Sequence, residues 1–210
     1  MIAIIDYGVG NLFSLRSSFE FIGQDAVATR DAAVIRAAER VILPGVGAFE
    51  DAAHKLAETG MRDVVLAEAA SGKPLLGICL GMQMLFERSF EYGEHLGLGL
   101  ISGDVAPIEP MIPRGHKIPH IGWNALRFPA DKPKNELFKY ISEGDHVYFV
   151  HSYAGVRTAT QSTAADAIAT TEYGAELTAA VARGNVFGTQ FHPEKSGDVG
   201  LAILRAFCEV

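Results

Sequence analysis

The sequence predicts an α/β fold with a mostly parallel central sheet and an antiparallel, β-rich extension in its second half. Short apolar runs at 2–5, 26–29, 40–44 and 75–78 alternate with stretches of helical spacing. Strand–helix alternation of this kind places helices on both faces of a parallel sheet. The runs are continuous rather than alternating, as strands buried on both faces are. Beyond about residue 120, strand-like runs follow one another across turn signals until a last helical segment, and these give the extension.

Ile2–Ile5 is the first strand, and 6–11 (Asp-Tyr-Gly-Val-Gly-Asn) is the loop that follows. This is not a dinucleotide fingerprint, because Phe13 stands where its third glycine would fall. A tight turn with Asn11 near the next helix cap is the simpler account. Leu12, Leu15, Phe19 and Ile22 mark that helix, and Gly23 stops it. The strand at 40–44 runs into Gly45-Val46-Gly47, which opens a helix over about 48–56. A Pro-Gly-x-Gly turn lets the backbone approach a ligand, and its N–H groups suit an oxyanion. A helix over 61–70 ends at Gly72. The strand at 75–78 then turns sharply at Cys79 into a helix marked by Leu80, Met84, Leu85 and Arg88.

From 93 to 115 glycine and proline are frequent and helical spacing is lost, so this stretch is left open. After Pro-His-Ile-Gly-Trp-Asn at 119–124, strands are expected at 125–128, 147–150, 165–171, 177–182 and 186–189. The last two flank 183–185, a hairpin signal. A helix over 200–210 closes the chain.

Two constellations carry chemistry. The first is Gly77-Ile-Cys79-Leu-Gly81. A strand that turns abruptly into a helix strains its corner residue and needs small neighbours, which the two glycines supply. The corner side chain then stands clear at the carboxyl end of the sheet, where a helix N-terminus favours an anion. A buried structural cysteine is the bland alternative, and the paired glycines argue for a nucleophile. The second is Phe-His192-Pro-Glu194 after the strand at 186–189. Pro193 keeps His192 extended. Such a histidine can take a thiol proton, and a nearby carboxylate can fix its tautomer. His192 and Glu194 read alone as surface residues; beside the Cys79 turn they complete a thiol triad.

Composition narrows the classes further. With 210 residues, 49% of them hydrophobic, one domain spanning 1–210 can bury a large core. A net charge of -7 argues against a nucleic-acid surface, and no apolar run reaches bilayer length. The two cysteines, Cys79 and Cys208, suggest no disulfide framework, and the expectation is a cytoplasmic protein. Metal binding is disfavoured: His116 and His120 are separated by Pro119, and no H-E-x-x-H or C-x-x-C occurs.

The Pro-Leu-Leu-Gly-Ile-Cys-Leu-Gly-Met-Gln-Met-Leu run around Cys79, paired with Phe-His-Pro-Glu near the end, resembles the class I, triad-type glutamine amidotransferases over nearly the whole chain. The segments at 2–12, 43–49, 119–124, 148–153 and 188–197 resemble those of the glutaminase subunits of imidazole glycerol phosphate synthases. The resemblance implies a flavodoxin-like three-layer sandwich and no cofactor. It implies Cys79, His192 and Glu194 as catalytic residues, with Leu80 and the Val46–Gly47 loop at the oxyanion. It places Gly45, Gln83, His151, Ser152 and Tyr153 around the glutamine. It also implies a separate (β/α)8-barrel cyclase chain that receives the ammonia, with Asn11, Trp123 and Asn124 as interface candidates, and a glycine-bearing Val46–Gly47 turn that switches activity. A core position is the alternative for Trp123. A free-standing thiol hydrolase and a non-catalytic regulatory subunit are the competing functions.

Overall fold

The computed structural model describes residues 1–157 and 163–210. The first half contains β1 (Ile2–Ile5), α1 (Leu12–Phe21), β2 (Ala26–Thr29), α2 (Ala32–Ala37), β3 (Arg40–Leu43), α3 (Phe49–Glu58), α4 (Met61–Ala70), β4 (Leu75–Ile78) and α5 (Leu80–Leu85). Then come β5 (Arg88–Ser89), β6 (His95–Leu96), β7 (Asp104–Pro107), β8 (His120–Ala125), β9 (His146–His151) and β10 (Tyr153–Val156). The chain ends with β11 (Ala167–Glu172), β12 (Glu176–Arg183), β13 (Val186–Thr189) and α6 (Gly197–Phe207).

The main sheet runs β11-β12-β13-β4-β3-β1-β2. Its five strands from β13 to β2 are parallel, and β12 and β11 extend it antiparallel. The period of two along a strand separates the two cores. On β1, Ala3 and Ile5 face a cluster with Ile35, Leu56 and Val65 from α2, α3 and α4. Ile2 and Ile4 face the opposite cluster, with Leu15 and Phe19 of α1 and Ile203 and Phe207 of α6. Three layers follow, and the carboxyl ends of β1, β3, β4 and β13 come together at one edge. Parallel α/β sheets bind ligands at such an edge.

Two sequence expectations need correction. The helix after Cys79 stops at Leu85 and does not include Arg88. Phe86 is extended and fully buried, packed so closely on Gly155 that a Cβ there would run into its ring. Arg88 instead belongs to β5 and grips Asp104 with two bonds of 2.9 and 3.0 Å. The helical spacing was real, but burial of one phenyl ring and one bidentate ion pair outweighed it. The strand expected at 125–128 is β8, which ends at Ala125; beyond it Arg127 makes only an isolated bridge to Thr170. Pro119 and Gly122 give β8 the look of a turn, yet it pairs with β9 over six residues. The open stretch 93–115 holds β6 and β7, part of a second sheet, β10-β7-β5-β6. Among the described residues, no helix is long and apolar enough to cross a membrane.

Candidate active site

Cys79 sits at the corner between β4 and α5 with φ 55° and ψ -111°, a conformation a non-glycine residue adopts only under constraint. The constraint is visible. The Cys79 amide donates to the Thr189 carbonyl at 2.7 Å, and its own carbonyl accepts from Gln83 N at 3.1 Å. A Cβ at Gly77 would stand 2.7 Å from the Gly81 carbonyl oxygen, so the turn closes only with glycine there. The thiol is nearly buried. Besides His192, its polar neighbours are loose sulfur contacts at 3.9 Å, the Val150 carbonyl and the Gln190 amide, which donates to it.

His192 approaches from the end of β13. Its backbone is extended, as Pro193 requires, and its amide donates to the Tyr148 carbonyl at 3.0 Å. The Ser196 hydroxyl donates to the His192 carbonyl at 2.6 Å and accepts from Tyr148 N at 3.0 Å, which ties the histidine to β9. His192 Nδ1 meets Glu194 Oε1 at 2.8 Å with both side chains buried. Burial opposes the imidazolium, but hydrogen bonds and charge from Cys79 and Glu194 outweigh it and raise His192 to about 9. His192 therefore holds its proton at neutral pH.

A cleft of about 290 Å³ opens over the sulfur. Val46, Gly47, Cys79, Leu80, Gln83, Glu91, Pro119, the 150–153 segment and His192 line it. The expected residues Val46, Gly47, Gln83, His151, Ser152 and Tyr153 are thus brought together. Gly45 is packed below, where a Cβ would stand 2.6 Å from Gly81 N. Gly47 is left-handed, φ 93°, with open space around its Cα. Leu80 is the first residue of α5, and first-turn amides of a helix have no partner within it. The Gln83 carboxamide donates to the Tyr153 carbonyl at 3.0 Å and to Gln190 Oε1 at 3.1 Å.

Asn11, Trp123 and Asn124 do not line this cleft. Asn11 holds the N-cap position of α1 without a side-chain bond. Trp123 is half exposed and meets Tyr148 edge-on at 6.1 Å, so the core alternative fails. Asn124 turns its amide inward, to His120 and the Glu172 carbonyl.

Sequence reasoning missed three residues. Glu91 is the one carboxylate on the cleft wall among the described residues, and its Oε2 accepts from Phe49 N at 2.6 Å at the start of α3. Tyr7 is buried and donates to the Pro44 carbonyl at 2.7 Å, anchoring the Gly45–Gly47 turn from below. Gln190 reaches the sulfur itself. Gln190 lies beside the His192 motif, so its neighbourhood was a signal; Glu91 and Tyr7 gave none.

A class I glutamine amidotransferase model matches residues 4–209. The chain belongs to that family. Across this amidotransferase, the imidazole glycerol phosphate synthase subunit HisH of Caldanaerobacter subterraneus subsp. tengcongensis is 49% identical, over 100% of this chain and 98% of that one. The subunit of the same name from Wolinella succinogenes is 46% identical over 100% of both. That of Rhodopirellula baltica is 49% identical over 99% of this chain and 96% of its own. Among solved structures, a glutamine amidotransferase superposes with a TM-score of 0.72 at 20% identity, covering 99% of this amidotransferase and 97% of that chain. PurLQS of Thermotoga maritima gives 0.70 at 21%, covering 99% and 97%. These two speak for the fold.

Proposed function

We propose that this chain is the glutaminase subunit of imidazole glycerol phosphate synthase: it hydrolyses glutamine and hands the ammonia to a (β/α)8 cyclase subunit. The observation that carries the reading is Cys79 in a strained elbow facing a proton-bearing His192 that is bonded to buried Glu194, in a chain 46–49% identical throughout to HisH subunits.

Cys79 attacks the side-chain amide carbon as a thiolate, its proton resting on His192. Charge gathers on the amide oxygen, and the Leu80 N–H and a peptide of the Val46–Gly47 turn receive it. One such donor is worth about 3–4 kcal/mol in the transition state. His192 gives its proton to the departing ammonia, then activates a water that releases glutamate from the thioester. Glu194 keeps His192 in place and favours its charged form. Free Cys79 and Cys208 fit a cytoplasmic location. The reading treats 1–210 as one domain, with half-exposed Trp123 and the Asn11 loop toward the cyclase.

Glu91 extends the site. Glutamine brings an α-ammonium into the cleft, and Glu91 is the carboxylate available to it. Glu91→Gln should raise KM for glutamine about tenfold with kcat changed less than about threefold, since a charge-assisted bond made equally in ground and transition states acts on KM. A change confined to kcat would remove Glu91 from substrate binding.

The test of function is glutamate release by the purified chain alone, with the cyclase, and with the cyclase plus a ligand for its acceptor site. Activity should rise strongly only in the full mixture. Gly47→Ala should blunt that rise, because an alanine resists the left-handed φ on which a freely turning Val46–Gly47 peptide depends. Full activity from the chain alone, unchanged by the cyclase, would instead indicate a free-standing thiol hydrolase.

A further inference from the structure

Gln190 is completely buried and takes no part in the steps above. It follows Thr189, whose carbonyl holds the Cys79 amide, and its own backbone amide donates to the Ala179 carbonyl at 2.8 Å. Its main chain is thus fixed beside the elbow. Its carboxamide lies between two groups of the site: Oε1 stands 3.1 Å from Gln83 Nε2, and Nε2 stands 3.9 Å from the Cys79 sulfur.

The neighbours dictate which end of the carboxamide faces the sulfur. The Tyr153 carbonyl only accepts, so the end of Gln83 that lies 3.0 Å from it is the NH2. That nitrogen carries a second hydrogen, and Gln190 can meet it only with oxygen. Gln190 Nε2 is thereby turned to Cys79. Among the described residues the sulfur is its only hydrogen-bond partner.

A buried NH2 that faces a neutral thiol has given up water for a weak acceptor. A thiolate is the better acceptor, because bonds to an ionised group are shorter and about twice as strong. A contact of 3.9 Å can close as charge arrives, and catalytic hydrogen bonds are often long before substrate binds. The amide therefore repays its burial in full only when Cys79 is ionised. The other loose contact works the opposite way: the Val150 carbonyl presents an oxygen, which repels an anion.

We infer that Gln190 is a catalytic residue: its Nε2–H steadies the Cys79 thiolate against burial and against the Val150 carbonyl, while Gln83 holds the amide in the donating orientation. The inference rests on the glutaminase reading and deepens it.

Gln190→Met keeps the length of the side chain and removes the donor. The titratable groups of the site stay in place: His192 protonated beside Glu194, Tyr7 and His151 kept neutral by burial, and Glu91 on the cleft wall. In the complex with the cyclase, iodoacetamide labelling across pH reports the thiolate; mass spectrometry of the Cys79 peptide separates it from Cys208. The pH of half-maximal labelling on the acid side should rise by about one unit in Gln190→Met, a tenfold loss of thiolate below both midpoints. The acid limb of kcat/KM for glutamine should move up with it. An unmoved labelling profile, whatever the KM, would mean that Gln190 only seats Gln83 and would overturn the inference. If the variant does not fold, the unsubstituted complex decides by NMR. The Gln190 side-chain amide should shift over the pH range in which Cys79 becomes reactive, and an amide that stays put overturns the inference. Labelling needs no glutamine, so a parent complex that releases no glutamate would defeat the glutaminase reading and leave the labelling result to be read on its own.

Discussion

Cys79→Ala should lower glutamine hydrolysis in the complex by about 10⁴-fold or more, the scale on which removal of a nucleophile acts. The Leu80 amide and the Val46–Gly47 turn would survive, so whatever activity remains measures the oxyanion donors acting on water alone. A second readout ties the loss to this mechanism. The Cys79 hydrogen bond and charge help to raise His192 to about 9 against the cost of burial. With the sulfur gone, burial is opposed by Glu194 alone, and the His192 pKa should fall, as an NMR titration of the imidazole would show. Activity above about a tenth of the parent would remove Cys79 from the chemistry. An unmoved His192 pKa would mean that sulfur and imidazole are not coupled, and the triad would lose its first pair.

The parts of the molecule legible in the sequence are those whose environment is uniform. β1, β2, β4 and β13 are mostly apolar and bury at least one end, so four residues sufficed to mark each. The elbow was legible because its glycines are demanded by local backbone geometry. Long-range demands leave no such mark. β5 and β6 have two residues each and exist only because they pair with each other and β5 with β7. α2 is six residues long, too short for a period, although Asp31 caps it by accepting from Ala33 N at 2.8 Å. Glu91 reaches the cleft because β5 and β6 fold their connection over it, and Tyr7 matters because Pro44 is brought within 2.7 Å from 37 positions away. His120 looked like a rival metal ligand in a proline-rich turn. Only the pairing of β8 with β9 puts it against His151.

Gly81→Ala should destabilise the chain by about 4 kcal/mol or more, among the largest effects of any single methyl group here. The added Cβ would run into the Leu43 carbonyl oxygen and stand 2.9 Å from Leu43 C and 3.1 Å from Pro44 C. All three are backbone atoms at the end of β3, a strand flanked on both sides by β1 and β4, so no side chain can swing away to make room. Relief requires α5 to lift from β3. That would carry Leu80 and Cys79 away from the Gly45–Gly47 turn and break the bond between Cys79 N and the Thr189 carbonyl. Stability and glutamine hydrolysis should therefore fall together. In a chain of this size the melting temperature should drop by roughly 8–16 °C. Gly72→Ala is the control: its φ of 84° costs about 1–2 kcal/mol, but no atom lies within 4 Å of the new methyl and the site is untouched. If Gly81→Ala melted no lower than Gly72→Ala, α5 would not be seated on β3 as described, and the backbone strain at Cys79 would need another source.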